Sequence, residues 1–143
     1  MFAVNISKTY KGILIYNVVN EHYQNSQWER ILMNENEVLD NMDFENEMAA
    51  EASIDSYIYK TRMYGMMGEA HRRRGNMSMA LENFEKSRIV TDLTNYPSNP
   101  ICQKDKYVSY LNLAALLKDT GDFDKSIILY KTIQEMRENA SER

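Results

Sequence analysis

The chain has 143 residues, of which 43% are hydrophobic and 27% charged, proportions of an ordinary globular protein with one continuous core. Its net charge of -4 makes nucleic acid an unexpected partner, because an acidic chain would need a concentrated basic surface and none of useful size is evident. With Cys102 as its single cysteine, no basic leader at Met1–Lys8 and no apolar run near ~20 residues, we expect a cytoplasmic protein without a signal peptide, disulfide or membrane span.

Residues 10–24 are rich in β-branched and aromatic side chains, which leaves a strand open on propensity. A helix is nevertheless favoured, because the apolar residues fall on two neighbouring helical stripes, as in a helix that is buried over most of its surface. The stripes are Tyr10, Ile13, Leu14 and Val18, and Tyr16, Val19 and Tyr23.

A second helix is predicted over about residues 27–40. Ser26 and Glu29 have the Ser-x-x-Glu spacing of a capping box, in which both side chains satisfy free amides at a helix start. The candidates for burial are Trp28, Ile31, Leu32, Val38 and Leu39. Residues 10–40 therefore read as a degenerate helical hairpin, with Trp28 where Met77 stands later but without a glycine in its turn.

Eight acidic residues and no basic one lie between residues 34 and 55. A calcium loop is one interpretation, since hard cations prefer clustered oxygen ligands. The segment lacks the Asp-x-Asp-x-Asp-Gly order, and no glycine occurs between Gly12 and Gly65 to form the sharp turn. We therefore favour a solvated acidic surface without a metal, followed by a helix from about residue 44.

Two short helices are predicted on either side of Gly75, and the same residue order recurs around Gly121. The matched pairs are Tyr64 and Tyr110, Gly68 and Ala114, Met77 and Phe123, Ala80 and Ser126, and Phe84 and Tyr130. The two glycines are 46 residues apart. The chain between them breaks at residues 95–100, where Asn99 is suited to cap a helix that begins at Pro100, so the preceding helix should end near Thr94.

This recurrence resembles the tetratricopeptide repeat over roughly residues 57–140, although the family's usual period is about 34 residues. Lengthened repeats of this kind are similar to those of peptide-responsive bacterial regulators and kinesin light chains. The resemblance implies an all-α fold of about six helices, in which antiparallel hairpins stack as a right-handed superhelix. We expect one domain over residues 1–143, with hairpins at 10–40, at 44–95 with its turn at Gly75, and at 100–140 with its turn at Gly121.

In this family the first helix of each hairpin lines a concave surface that holds a peptide or a partner's helix. The resemblance therefore implies contact residues at Arg62, Met66, Glu69, Arg72, Arg73, Leu111, Asn112 and Lys118. The family's carboxylate clamp needs a lysine at Gly65 and an asparagine at Glu69, and only its asparagine at Asn112 is present. We expect a non-catalytic interaction module or scaffold that binds an acidic or amphipathic protein or peptide, without a cofactor.

Several features have a second interpretation. The run from His71 to Arg74 suits a phosphate, nucleic-acid or partner site, but cations in the last turn of a helix also complement its dipole, which is the interpretation we favour. His71 fits a packing position better than a catalytic one, and no hydrolase, zinc or phosphate-loop motif is present to indicate an enzyme. We favour a buried position for Cys102 over an exposed thiol on the surface. We likewise expect the methionines to fill the core more than to form a binding surface.

Two alternatives concern regulation and assembly. A peptide in the groove could change the curvature of the array and so its affinity for a partner, which would make the protein a ligand-switched regulator. The hairpin that includes Ile127 and Ile128 carries apolar residues that a capping element would normally cover. That hairpin is therefore predicted to self-associate, or the chain is part of a longer one.

Overall fold

The computed structural model describes residues 2–33, 35–42, 54–94 and 96–141. These residues form seven helices and no strand, which confirms the all-α prediction. The helices are α1 (Phe2–Gln24), α2 (Trp28–Met33), α3 (Glu35–Met42), α4 (Ile54–Arg73), α5 (Met77–Asp92), α6 (Pro100–Asp119) and α7 (Phe123–Ser141). The predicted helix over 27–40 is instead the two helices α2 and α3, which accounts for the difference from the expected six.

Three turns of the chain have the same geometry. Gly75 and Gly121 follow α4 and α6 with φ values of 82° and 88°, and Ser26 follows α1 with φ 56°. In each turn this residue's amide donates to the carbonyl three positions earlier, and the next amide donates to the carbonyl five positions earlier. This double bond pattern is the Schellman motif, in which a left-handed residue closes a helix.

The capping-box interpretation of Ser26 is therefore wrong. Ser26 ends α1, whereas the carbonyl of Gln27 accepts the first amides of α2, from Arg30 and Ile31 at 3.1 and 3.3 Å. Glycine normally occupies such a position because it has no Cβ to clash in the left-handed region. Serine takes the same conformation here, so the absence of glycine conceals a turn equivalent to the other two.

Positions counted from these turn residues are buried alike in the three hairpins. Val19, Gly68 and Ala114 lie seven residues before the turn, and all three are buried. Ile31, Ala80 and Ser126 lie five residues after it and are also buried. Gly68 has no room for a side chain, because an added Cβ would lie 2.5 Å from the Phe84 ring. The same positions thus form the contact between paired helices.

The core runs through the hairpins in connected clusters. The first cluster joins α1, α2 and α3 to α4, with Val19, Ile31, Val38, Met63 and Met67 almost fully buried. The next joins α5 to α6 and α7, and the third joins α6 to α7. Because α4 and α6 also contact each other, the first helices of the hairpins face one another along one side.

Other predictions for single elements have mixed outcomes. Asn99 caps α6, its side chain accepts the amides of Ile101 and Cys102, and Pro100 is the first helical residue, as predicted. Cys102 is buried, as expected. The preceding helix α5 ends at Asp92, slightly before the predicted position. The acidic-segment predictions fall largely on residues 43–53, which lie outside the described residues.

One prediction for α1 is wrong. Tyr16 and Val19 are buried, but Leu14 and Val18 on the other stripe are 54% and 46% exposed. Over residues 13–24, α1 is therefore buried on one stripe instead of on most of its surface, because α2, α3 and α4 all pack against it from the same side.

Candidate functional site

A cleft of about 390 Å³ lies between α1, α4 and α6. Its walls carry Tyr16, Asn20, Tyr23 and Gln24 from α1, Thr61, Arg62, Gly65, Met66 and Glu69 from α4, Ser87 from α5, and Asp105, Val108, Ser109 and Asn112 from α6. The cleft forms on this side because these three helices are the first members of successive hairpins. It has the size of an ordinary ligand pocket.

Arg62 connects the three walls of the cleft. Its guanidinium donates to the Asp105 carboxylate, with Nε and Oδ2 at 3.2 Å, and to the Tyr16 hydroxyl at 3.5 Å. Burial raises the pKa of the Asp105 carboxyl above its ordinary value, although the charge of Arg62 acts in the opposite direction. Burial would lower the pKa of Arg62, but the bond to Tyr16 and the charge of Asp105 outweigh it, so the pKa is raised.

Glu69 holds two residues of the arginine run. Arg72 donates to both of its oxygens, at 2.9 and 2.7 Å, and Arg73 donates at 2.8 Å. Burial alone would raise the pKa of Glu69, but these hydrogen bonds outweigh it and lower the pKa below its ordinary value. Arg74 pairs with Glu29 at 3.0 Å. The run therefore neutralises carboxylates of its own chain.

His71, the first member of that run, is buried where α4 meets α3. Its Nε2 lies 3.0 Å from the Glu35 carboxylate. This contact fits the packing role expected for His71, since it ties α3 to α4 away from the cleft.

The remaining polar groups of the cleft are hydroxyls and amides. Ser87 donates to the carbonyl of Thr61 at 2.8 Å, and Ser109 donates to the carbonyl of Lys106, so both hydroxyls already serve the helices. Asn112 is different: within the described residues no protein group bonds its side-chain amide. An amide offers a donor and an acceptor together, which matches one peptide group of a bound chain.

The predicted contact residues separate into two groups. Arg62, Met66, Glu69 and Asn112 line the cleft, although Met66 is only 6% exposed. Arg72, Arg73, Leu111 and Lys118 are not among its lining residues. Sequence reasoning missed the entire contribution of α1, which supplies two tyrosines and two amides. The match of Trp28 to Met77 also aligns Ser26 with Gly75 and Tyr16 with Gly65, and this alignment was the available signal.

A metal site and a membrane-spanning helix are both absent from the described residues. No three histidine, cysteine or acidic side chains in the described part of the chain come together in a way that could hold a metal ion. None of the described helices is long and apolar enough to cross a membrane.

One comparison with known proteins identifies part of the array. Residues 107–139 match the family model described as Tetratricopeptide repeat, a span that begins within α6, includes the turn at Gly121 and ends within α7. Searches of curated proteins and of solved structures found no match to the chain.

Proposed function

We propose that this chain, whose residues 107–139 match the Tetratricopeptide repeat model, is a non-catalytic module that binds a protein or peptide partner in the cleft between α1, α4 and α6. The observation that carries the proposal is the Asn112 amide, which lines the cleft and has no hydrogen-bond partner among the described residues. A bound backbone would satisfy both of its hydrogen-bonding groups.

The cleft favours an amphipathic partner segment over a strongly acidic one. Arg62 is paired with Asp105, and Arg72 and Arg73 are paired with Glu69, so none of these cations is available without breaking an internal bond. Val108 supplies exposed apolar surface beside the amides, and Tyr16 and Met66 line the cleft although both are largely buried. Such a lining suits a short segment that alternates apolar side chains with an accessible backbone.

Gly65 provides a way to block the cleft without disturbing the fold. It lies in the wall, and an added Cβ would come no closer than 3.9 Å, to the Ser87 hydroxyl. Replacing a glycine inside a helix with methionine also improves helix propensity by somewhat under ~1 kcal/mol. Gly65→Met should therefore fill the cleft while leaving the protein at least as stable.

The test uses peptides selected from a random phage-displayed library on the wild-type protein. We expect their affinity to fall about tenfold in Asn112→Ala, the loss of roughly one net hydrogen bond, and further in Gly65→Met. Lys125→Ala is the matched control, because Lys125 is 72% exposed on α7 and outside the cleft. Failure to select any peptide, or equal binding to folded Gly65→Met, would refute the proposal.

A second candidate function is that of a ligand-switched regulator, and Arg62 is the observation that favours it. Its bonds to Tyr16 and Asp105 join helices of three hairpins inside the cleft, so an occupant that takes over Arg62 would loosen their contact. A selected peptide should then change the hydrodynamic radius of the wild type but not of Arg62→Met. Peptide binding without any change in hydrodynamic radius would exclude the regulator and support the simple binding module.

A further inference from the structure

The surface by which one hairpin packs on the preceding one uses two fixed positions. These positions lie twelve and eight residues before the left-handed turn residue, and they are Met63 and Met67 in α4 and Ser109 and Leu113 in α6. All four are at most 3% exposed. Met63 and Met67 pack in the cluster formed with α1, α2 and α3, whereas Leu113 packs with residues of α5.

In α1 the same two positions are Leu14 and Val18, and they are 54% and 46% exposed. They form what we call the docking face. Apolar side chains stand there at the two positions that the other hairpins use for contact, yet no described residue covers them. An exposed apolar pair is ordinary on its own, but this pair stands in the register of an internal contact, and a matching surface lies elsewhere on the chain.

The matching surface lies on α7. In the first hairpin, Trp28 and Leu32 pack against the cluster that contains Met63 and Met67, and so receive α4. They stand two and six residues after the turn. In α5, on which α6 packs, the residues at these positions are Met77 and Leu81, and they are 39% and 38% exposed. After Gly121 they are Phe123 and Ile127, which are 60% and 51% exposed and which we call the receiving face.

We propose that two copies of this chain associate head to tail, with the docking face of one copy on the receiving face of the other. The interface would repeat the contact that α4 makes with α1 and α2 within each chain. A second copy is the occupant because one molecule carries both halves of the contact. Both halves have apolar side chains at the matched positions. Such an interface is heterologous, so it leaves one face open on each end and allows further copies to add.

The test places charges on one face at a time. Leu14→Glu with Val18→Glu removes the docking face, and Phe123→Glu with Ile127→Glu removes the receiving face. All four side chains are about half exposed or more, so circular dichroism should show folded variants. Analytical ultracentrifugation should show the average mass of the wild type rising with concentration past that of a dimer, and each variant alone as a monomer.

Mixing the two variants gives the decisive result, because each keeps one intact face. We expect an equimolar mixture to form a dimer that grows no further. Ile128→Glu is the matched control, because Ile128 is 63% exposed but lies at the position that Glu82 occupies in α5. This variant should associate as strongly as the wild type.

Four outcomes would overturn the proposal. A wild type that remains monomeric at its solubility limit shows no association. A docking-face variant that still dimerises points to a symmetric contact, and a mixture that stays monomeric shows that the two faces do not bind each other. Loss of association in Ile128→Glu would indicate general adhesion of exposed apolar groups.

Discussion

Ser26→Gly should stabilise the protein, because Ser26 occupies the left-handed position that glycine occupies in the other two turns. Its φ of 56° compares with 82° at Gly75 and 88° at Gly121. The left-handed conformation costs a residue with a Cβ roughly 1–2 kcal/mol. Glycine offsets about 0.4–1 kcal/mol of this gain, because it increases the conformational entropy of the unfolded chain. The net gain is ~1 kcal/mol, or a rise of a few degrees in Tm for a chain of this length.

Urea unfolding followed by circular dichroism measures the gain, and two controls isolate its cause. Gly75→Ser is the reverse change in a turn where an added Cβ meets nothing within 4 Å, so it should lose about the same free energy. Ser26→Ala keeps the Cβ and removes only the hydroxyl, and should be neutral. If Gly75→Ser is destabilised while Ser26→Gly is unchanged or weaker, the inferred equivalence of the turns is refuted.

Three further changes test the packing and the ion pairs. Gly68→Ala should destabilise the protein by about 1–2 kcal/mol in urea unfolding, because a Cβ 2.5 Å from Phe84 overpacks the helix contact and outweighs the gain in helix propensity. Glu69→Gln should cost about 1 kcal/mol at pH 7. Since its pKa is lowered on folding, this difference should be full above the ordinary pKa of 4.5 and vanish as pH falls below it. Tyr110→Phe removes a hydrogen bond of 2.8 Å to Asp92 and should cost about 1.5 kcal/mol.

Each of these changes has a matched control. Gly65→Ala adds a methyl group where there is room and should be neutral or stabilising. Glu82→Gln breaks an exposed pair with Lys86 and should have almost no effect at any pH. Asp92→Asn combined with Tyr110→Phe should cost less than the two separate losses added together. Equal losses in Gly65→Ala and Gly68→Ala, a pH-independent Glu69→Gln effect, or additive losses at Asp92 and Tyr110 would each contradict the corresponding argument.

The hairpins around Gly75 and Gly121 could be predicted because glycine in the left-handed region leaves a visible mark in the sequence. The hairpin at residues 10–40 was predicted from the match of Trp28 to Met77, but its turn residue was not, since a serine that adopts the same conformation looks like an ordinary helix cap. That single misreading removed α1 from the predicted binding surface, and with it the tyrosines and amides of one wall of the cleft.

Ion pairs divide in the same way between local and distant partners. The pairs from Arg72 and Arg73 to Glu69 have helical spacings of three and four residues, so the sequence alone is enough to recognise them. Arg62 and Asp105 are 43 residues apart, and His71 and Glu35 are 36 apart. Only the packing of different hairpins brings these groups together, so the sequence presented Arg62 as a free contact residue.

The internal pairing of these arginines also determines how a partner should respond to ionic strength. A groove of free cations would attract an acidic ligand over several ångströms, and added salt would weaken that attraction, since charges are screened over ~8 Å in physiological saline. Here Arg62 in the cleft is already paired with Asp105, and Arg72 and Arg73 outside it are paired with Glu69. Affinity should therefore stay nearly constant from dilute buffer to concentrated salt, because short-range fit and amide hydrogen bonds carry the recognition.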